Sequence, residues 1–174
     1  MSREESICCW ADIFQNLQDT ELKDTYSNQW TLQMDNDLDD LTSNLRQQGW
    51  KIYQSSSIGK FMCPSCTHKW NSARVSLIFH YRLNIGHEDG EVRLKIYRQK
   101  CRSCGNQKML KASFEEENVK DVLIRLITRI KKNCYYEQIE IKRRTNGLER
   151  TKPHESSLCE ACLKGKCNTD RDFN

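Results

Sequence analysis

The chain has 174 residues, enough for one domain or for one domain with extensions, and ten of the residues are cysteine. Only two prolines and seven glycines are present, which excludes a collagen-like or low-complexity chain. The net charge of +4 hides an uneven distribution, because residues 1–49 hold ten acids against three bases while residues 50–174 hold 25 bases against 14 acids. The sequence therefore predicts an acidic leader joined to a basic body, and a basic body is a candidate surface for polyanions.

The acidic leader contains three predicted elements. Residues 8–18 have the spacing of a short amphipathic helix, and residues 30–34 alternate between apolar and polar as a strand does. Leucines from residue 38 to 45 return to helical spacing, and Gly49 ends that predicted helix.

The basic body begins with β-structure and continues into a helix. Residues 58–62 and 73–83 are predicted strands, and a polar turn over 84–90 leads into a returning strand over 92–96. A β-hairpin follows from this pattern. Residues 119–130 have apolar side chains at three- and four-residue spacing, which predicts an amphipathic helix.

The sequence lacks the hydrophobic segments that export or membrane insertion requires. It opens without the basic start and apolar run of a signal peptide, and no stretch approaches 18 apolar residues. We therefore expect a cytoplasmic protein with reduced thiols, in which clustered cysteines are metal ligands and not disulfides.

Three CxxC pairs form the strongest motif of the chain: Cys63/Cys66, Cys101/Cys104 and Cys159/Cys162. A CxxC turn directs two thiolates at one point, which supplies half of the tetrahedral shell of zinc. The first two pairs flank the predicted hairpin, so the hairpin would bring them together. The third pair has candidate partners of its own in His154 and Cys167.

This arrangement predicts two structural zinc ions. The ligands of the first are Cys63, Cys66, Cys101 and Cys104, and those of the second are His154, Cys159, Cys162 and Cys167. A different grouping, in which the third pair joins the first or the second, stays open. Each predicted site is four-coordinate with no open position, so its zinc is structural.

The predicted fold class is α+β: a zinc-stabilised antiparallel β-hairpin or sheet of the zinc-ribbon type with flanking helices. The leader, residues 1–49, would pack on the core as helical structure. Residues 50–167 would form the zinc-binding domain, with a basic connector at 133–153, and residues 168–174 a frayed tail.

Other cysteines and histidines have simpler interpretations. Cys134 is predicted to be a buried or idle thiol, and His80 a surface or packing histidine. Cys8 and Cys9 are predicted semi-buried thiols, with lipid attachment as the alternative. Catalysis is not predicted, since no βαβ pattern surrounds the Cys63–Cys66 motif and no H-x-E precedes it. We expect no small-molecule substrate.

The motifs together resemble the receptor-transporting protein family. The resemblance rests on CPSC-x3-W-x-S-A-x-V-x-L-x-F-H, on G-x-V-x-x-x-I-x-x-Q-x-C-x-x-C, and on H-x4-CEAC-x2-G-x-C, in this order. It covers roughly residues 8–167. The resemblance implies a zinc domain with three CxxC motifs and a role in bringing chemosensory and other G-protein-coupled receptors to the cell surface.

The resemblance also implies a membrane anchor and an alternative function. Members of the family usually carry a C-terminal transmembrane segment, which this sequence lacks, so we expect a cytoplasmic protein whose membrane association is open. Interferon-induced members are antiviral and bind RNA through the zinc domain. The alternative function is therefore RNA binding, through Lys131, Lys132, Tyr135, Tyr136, Lys142, Arg143 and Arg144.

Overall fold

The computed structural model describes residues 5–141, 155–165 and 171–173. The elements, in chain order, are α1 (Glu5–Glu21), β1 (Gln29–Met34), α2 (Ser43–Gln47), β2 (Lys51–Met62), β3 (Lys69–Asn84), β4 (Asp89–Ile96), α3 (Glu116–Cys134), a 3-10 turn (Ser156–Leu158), α4 (Glu160–Leu163) and β5 (Arg171–Phe173). The combination of strands with flanking helices confirms the predicted α+β class.

One mixed sheet of five strands organises these elements, in the order β1-β4-β3-β2-β5. The predicted hairpin is present as β3 and β4, which pair antiparallel from Leu77↔Ile96 to Asn84↔Asp89. β2 pairs antiparallel with β3 along nearly its whole length. β1 pairs parallel with β4, so the acidic leader contributes an edge strand to the same sheet.

One face of the sheet carries the main hydrophobic core, which lies under α1 and α3. Helix α3 buries one side of its surface here, and Leu123 and Leu126 on that side are 0% exposed. From α1, Trp10 and Phe14 are equally buried. Each such side chain contributes about 1.5–3 kcal/mol when it is removed from water, so the two helices fasten the acidic leader to the basic body.

The other face of the sheet is covered by irregular chain and by the short helices. Leu38 packs with Ile78 and Tyr97, and Leu41 packs with Trp50. This face also holds buried polar side chains. His80 is 4% exposed, and its Nε2 atom lies 2.7 Å from the backbone oxygen of Asp39, to which it donates.

Three predictions differ from the structure at the level of elements. The helix expected from residue 38 to 49 is only α2, because the side chains at 38 and 41 pack against the sheet from irregular chain. The first strand of the basic body begins at Lys51 and not at 58. His80, for which the sequence left surface exposure and packing open, is a packing histidine. Residues 171–173 of the predicted frayed tail form β5, which pairs with β2 at Ile52–Gln54.

Candidate metal centre

The first CxxC pair lies in the turn between two paired strands. Met62 ends β2 and pairs with Lys69, the first residue of β3, so the six residues between them form a tight hairpin turn. The Cys63 amide donates to the His68 carbonyl over 2.9 Å, and the Thr67 amide donates to the Cys63 carbonyl over 2.8 Å. These bonds fold the turn so that both thiols of the pair face the same point.

The second CxxC pair occupies a similar turn. Before it, Gln99 forms a two-way backbone bridge with Leu110: its amide donates over 3.1 Å and its carbonyl accepts over 2.7 Å. Cys101 and Cys104 lie between the two bridged residues. The chain therefore reverses around this pair just as it does around the first.

The two turns bring four sulfur atoms into one cluster. The Sγ atoms of Cys63, Cys66, Cys101 and Cys104 all lie within 4.8 Å of one another. Sγ of Cys63 is 3.6 Å from that of Cys104, and Sγ of Cys66 is 3.6 Å from that of Cys101. A tetrahedral zinc with bonds of about 2.3 Å to sulfur needs its ligands about 3.8 Å apart. We call these four residues the four-cysteine cluster, and its geometry fits zinc.

The electrostatics of the cluster favour one thiolate, at Cys63. Burial raises the pKa of the Cys63 thiol, but hydrogen bonds from the backbone amides of Cys66 and Ser65 outweigh that effect and bring the pKa to about 6. At Cys66 the His68 backbone amide lowers the pKa, but burial and the neighbouring thiols outweigh it and raise the pKa to about 12. Cys63 and Cys101 are 1% and 4% exposed. A buried thiolate without a counter-charge is costly, so the arrangement is best satisfied by a bound cation.

An aromatic stack forms one wall of the cluster. The rings of Phe61 and Trp70 stack 5.0 Å apart at 6°, and His68 stacks on Trp70 at 5.6 Å. Trp70 therefore packs beside the first CxxC pair. Its Nε1–H donates to Oε1 of Gln99 over 3.2 Å, while Nε2 of Gln99 donates to Oγ of Ser72 over 2.9 Å.

Gln99 is the residue of the site to which sequence reasoning assigns no role. Its side chain is 8% exposed, and its amide and backbone join the strand before the second CxxC pair to β3 and to Leu110. The only signal in the sequence is its position two residues before Cys101, in the Q-x-C-x-x-C motif.

The third CxxC pair lies apart from the four-cysteine cluster. Cys159 is 2% exposed and packs with Cys162 against Ile78 and Tyr97, on the sheet face opposite the main core. In the part of the chain that the structure describes, only the four-cysteine cluster gathers three or more metal-ligating groups. The first two pairs are thus joined without the third. His154 and Cys167 lie outside the described residues.

The remaining thiols have no place in the cluster. Cys134 ends α3 and is half-buried, and burial raises its pKa to about 11. This agrees with the prediction of an idle thiol. The side chains of Cys8 and Cys9 lie outside what the structure describes.

The two tyrosines predicted for RNA contact differ in their exposure. The ring of Tyr135 stacks on Tyr26 with centroids 3.6 Å apart, and its hydroxyl lies between Trp30 Nε1 and Asn28 Oδ1. That face of the Tyr135 ring is therefore occupied by Tyr26. Tyr136 is 81% exposed.

Of the five basic residues that the sequence predicts for RNA contact, two lie in the part of the chain that the structure describes. Lys131 lies 3.6 Å from the carboxylate of Glu21, and Lys132 is exposed. Lys142, Arg143 and Arg144 lie outside the described residues.

No helix in the described parts of the chain combines the length and apolarity needed to cross a membrane.

Comparison with known proteins agrees with the geometry of the site. A family model described as a zinc-binding domain matches residues 56–165, a range that holds all three CxxC pairs. The protein is thus of the class that carries a zinc-binding domain. The match and the four-cysteine cluster together support zinc as the cofactor.

Similar proteins show which family of zinc-binding proteins the chain belongs to. The chain is 34% identical to mouse (Mus musculus) receptor-transporting protein 3, over 91% of this chain and 33% of that protein. It is 31% identical to mouse receptor-transporting protein 2 over 95% and 72%, and 28% identical to human (Homo sapiens) receptor-transporting protein 4 over 91% and 63%. The chain belongs to the receptor-transporting protein family.

The chain spans one third of mouse receptor-transporting protein 3 and 72% of mouse receptor-transporting protein 2. No solved structure matches the chain.

Proposed function

We propose that this protein is a zinc-stabilised, non-enzymatic adaptor that assists G-protein-coupled receptors on their way to the cell surface. The observation that carries the proposal is the four-cysteine cluster inside a domain whose relatives are named receptor-transporting proteins. A role as adaptor fits a site with four protein ligands, since such a zinc has no position left for a substrate.

The four-cysteine cluster is proposed to hold the first of two structural ions. Zinc there would join the β2–β3 turn to the loop after β4, and the apparent binding energy of such a site is on the order of 10 kcal/mol. This is a large part of the stability of a domain of this size. Loss of the metal would therefore loosen the surface next to the cluster.

A second structural ion is proposed at the third CxxC pair. Cys159 and Cys162 would supply two ligands, and His154 and Cys167 the other two. Support comes from the packing of Cys159 and Cys162 side by side in the described structure and from the H-x4-C-x2-C-x4-C spacing.

The acidic leader is the proposed contact for the receptor. Cytoplasmic loops of membrane proteins are rich in Lys and Arg, so they attract an acidic surface and repel a basic one. The leader presents exposed acids on α1, in the turn that follows it and in the chain after β1, among them Asp12, Asp24 and Asp37. This interpretation places the protein on the cytoplasmic side of the membrane that holds the receptor.

RNA binding is the less supported alternative. Among the described residues, Tyr135 is occupied by its own packing and Lys131 lies beside Glu21. A filter-binding assay with single-stranded RNA over a salt series measures this alternative directly, because binding to phosphates weakens as salt rises.

The test of the proposed function is the surface level of a receptor in cultured cells. An odorant receptor with an extracellular epitope tag is expressed alone, with this protein, with the Cys63→Ser/Cys101→Ser variant, and with Cys134→Ser as the matched control. We expect the protein and the Cys134→Ser variant to raise surface labelling, and the double variant to lose most of this effect. Equal labelling with all three forms, or no increase over a panel of such receptors, would overturn the proposal.

A further inference from the structure

The strand that leads into the second CxxC pair is held from both sides. We call residues 98–100 the linking strand and residues 156–163 the third CxxC segment. Two backbone hydrogen bonds join them, at 2.8 and 3.0 Å: from the Lys100 amide to the Leu158 carbonyl, and from the Glu160 amide to the Arg98 carbonyl. Cys159 lies opposite Gln99 in the resulting antiparallel bridge. The third CxxC segment thus pairs with the linking strand through one isolated bridge, at Cys159 between the 3-10 turn and α4.

The opposite edge of the linking strand pairs with the end of the loop that carries the second CxxC pair. There Gln99 bridges to Leu110, and its side chain binds Trp70 and Ser72 of β3. The strand then continues directly into Cys101. The linking strand therefore has the loop of the second CxxC pair on one edge, through Gln99 and Leu110, and the third CxxC segment on the other.

The third CxxC segment is anchored by packing as well as by hydrogen bonds. Ala161 is 0% exposed and packs with Leu38, Ile78 and Tyr97. Tyr97 comes immediately before the linking strand, and its amide donates to the Ser76 carbonyl over 3.0 Å. A displacement of the segment would consequently remove support from the linking strand at its first residue.

We propose that docking of the third CxxC segment and metal binding by the four-cysteine cluster are coupled through the linking strand. Metal binding fixes Cys101 and hence the strand, and a fixed strand presents the partners that the segment needs. Such coupling is reciprocal: each event favours the other by the same factor. The inference rests on the proposed binding of zinc by the cluster.

The sharpest variant removes one hydrogen bond between the strand and the segment. Glu160→Pro deletes the amide that donates to Arg98. Proline is tolerated at this position because Glu160 is the first residue of α4, and Cys159 has the extended conformation, φ −103° and ψ 118°, that precedes proline. Glu160→Ala is the matched control, since it removes the same charge and keeps the amide.

The affinity is measured on the full chain loaded with cadmium-113. A cadmium ion bound by four thiolates has its own NMR signal, separate from that of an ion with an imidazole ligand, and a chelator titration follows its loss. We expect Glu160→Pro to weaken binding at the four-cysteine cluster about fivefold, the effect of one hydrogen bond, and Glu160→Ala to leave it unchanged. Equal affinity in both variants would overturn the coupling. Absence of the four-thiolate signal in the wild-type protein would instead overturn the proposed metal site.

Hydrogen exchange tests the reverse direction without altering the third CxxC segment. In the Cys66→Ser variant the cluster loses one ligand, and we expect the Lys100 and Glu160 amides to exchange at least tenfold faster than in the wild type. The Leu126 amide of α3 is the internal control for the overall loss of stability, and its exchange should accelerate less than that of the Lys100 and Glu160 amides. If Glu160 keeps its protection when the four-thiolate signal has been lost, the two events are independent and the proposal is wrong.

Discussion

At the scale of single residues, Gly90 is the glycine at which the fold has least room for an added side chain. Gly90 pairs with Trp30 across β1 and β4, and a Cβ atom built on it would lie 2.0 Å from the indole ring. The ring itself is 0% exposed, and its Nε1–H donates to the Tyr135 hydroxyl over 3.0 Å. The absence of a side chain at Gly90 therefore lets Trp30 join β1, β4 and the end of α3.

We expect Gly90→Ala to destabilise the protein by about 3 kcal/mol, because a fully packed ring must move to make room. Gly86→Ala is the matched control in the turn of the same β3–β4 hairpin, where the nearest atom to a new Cβ is 3.8 Å away. That variant should change stability by less than about 0.5 kcal/mol. Urea unfolding followed by circular dichroism measures both, and similar values for the two variants would contradict the packing described here.

His80 gives the stability of the protein a dependence on pH. Burial lowers its pKa below the ordinary 6.5, and Arg93 lowers it further, against the Asp39 carbonyl and the carboxylates of Asp35 and Asp40, which raise it. The unfolded chain therefore binds a proton at a pH where the folded protein does not. Stability from this group is present above pH 6.5 and is lost as the pH falls below it.

The variant His80→Gln keeps a donor for Asp39 and cannot take up a proton. We expect the stability difference between wild type and this variant to shift against the wild type as the pH falls from 7 to 5. Acid also releases metal from thiolates, but this affects both proteins and cancels in the difference. A difference that stays constant over this range would show that His80 does not titrate as described.

At the scale of elements, local periodicity predicts the β3–β4 hairpin and α3, because their apolar residues alternate or repeat within one segment. The start of β2 is hidden by buried serines: Ser55 and Ser57 are 3% and 2% exposed, so the strand is polar in sequence but lies in the interior. The parallel pairing of β1 with β4 cannot be read from either segment, since it depends on contacts between residues about 60 positions apart.

Two neighbouring residues of helix α3 allow its buried side to be compared with its exposed side. Leu123 is 0% exposed and Ile124 is 45% exposed. Leu123→Ala should cost about 2–5 kcal/mol because it leaves a cavity in the main core, while Ile124→Ala should cost less than about 1 kcal/mol. Thermal unfolding of the two variants at equal metal loading checks this, and an equal loss in both would mean that α3 packs in another orientation.

At the scale of the whole molecule, the four-cysteine cluster is the part of the site that spacing predicts best. The hairpin between Cys66 and Cys101 brings the two CxxC pairs together whatever its length, so the grouping follows from topology. The position of the third pair does not follow from spacing: it depends on the burial of Ala161 against Ile78 and Tyr97, on a sheet face that local sequence describes as polar. The sequence predicts a strand at residues 30–34, but it gives no sign that this strand of the acidic leader joins the sheet of the basic body.

The structure also shows where the acidic and basic parts of the sequence lie relative to each other. The acidic leader is part of the same sheet and core as the basic body, through β1 and α1. The two charged regions are therefore held close together as surfaces of one folded unit, and partners of opposite charge would meet different sides of it.

The central claim is that Cys63, Cys66, Cys101 and Cys104 hold a structural zinc. Native mass spectrometry of the full chain measures the number of bound zinc ions, and we compare the wild type with Cys101→Ser and with Cys134→Ser, which removes a thiol outside the cluster. The account predicts that Cys101→Ser carries one zinc ion fewer than the wild type, while Cys134→Ser carries the same number. The same zinc count in all three proteins would contradict it.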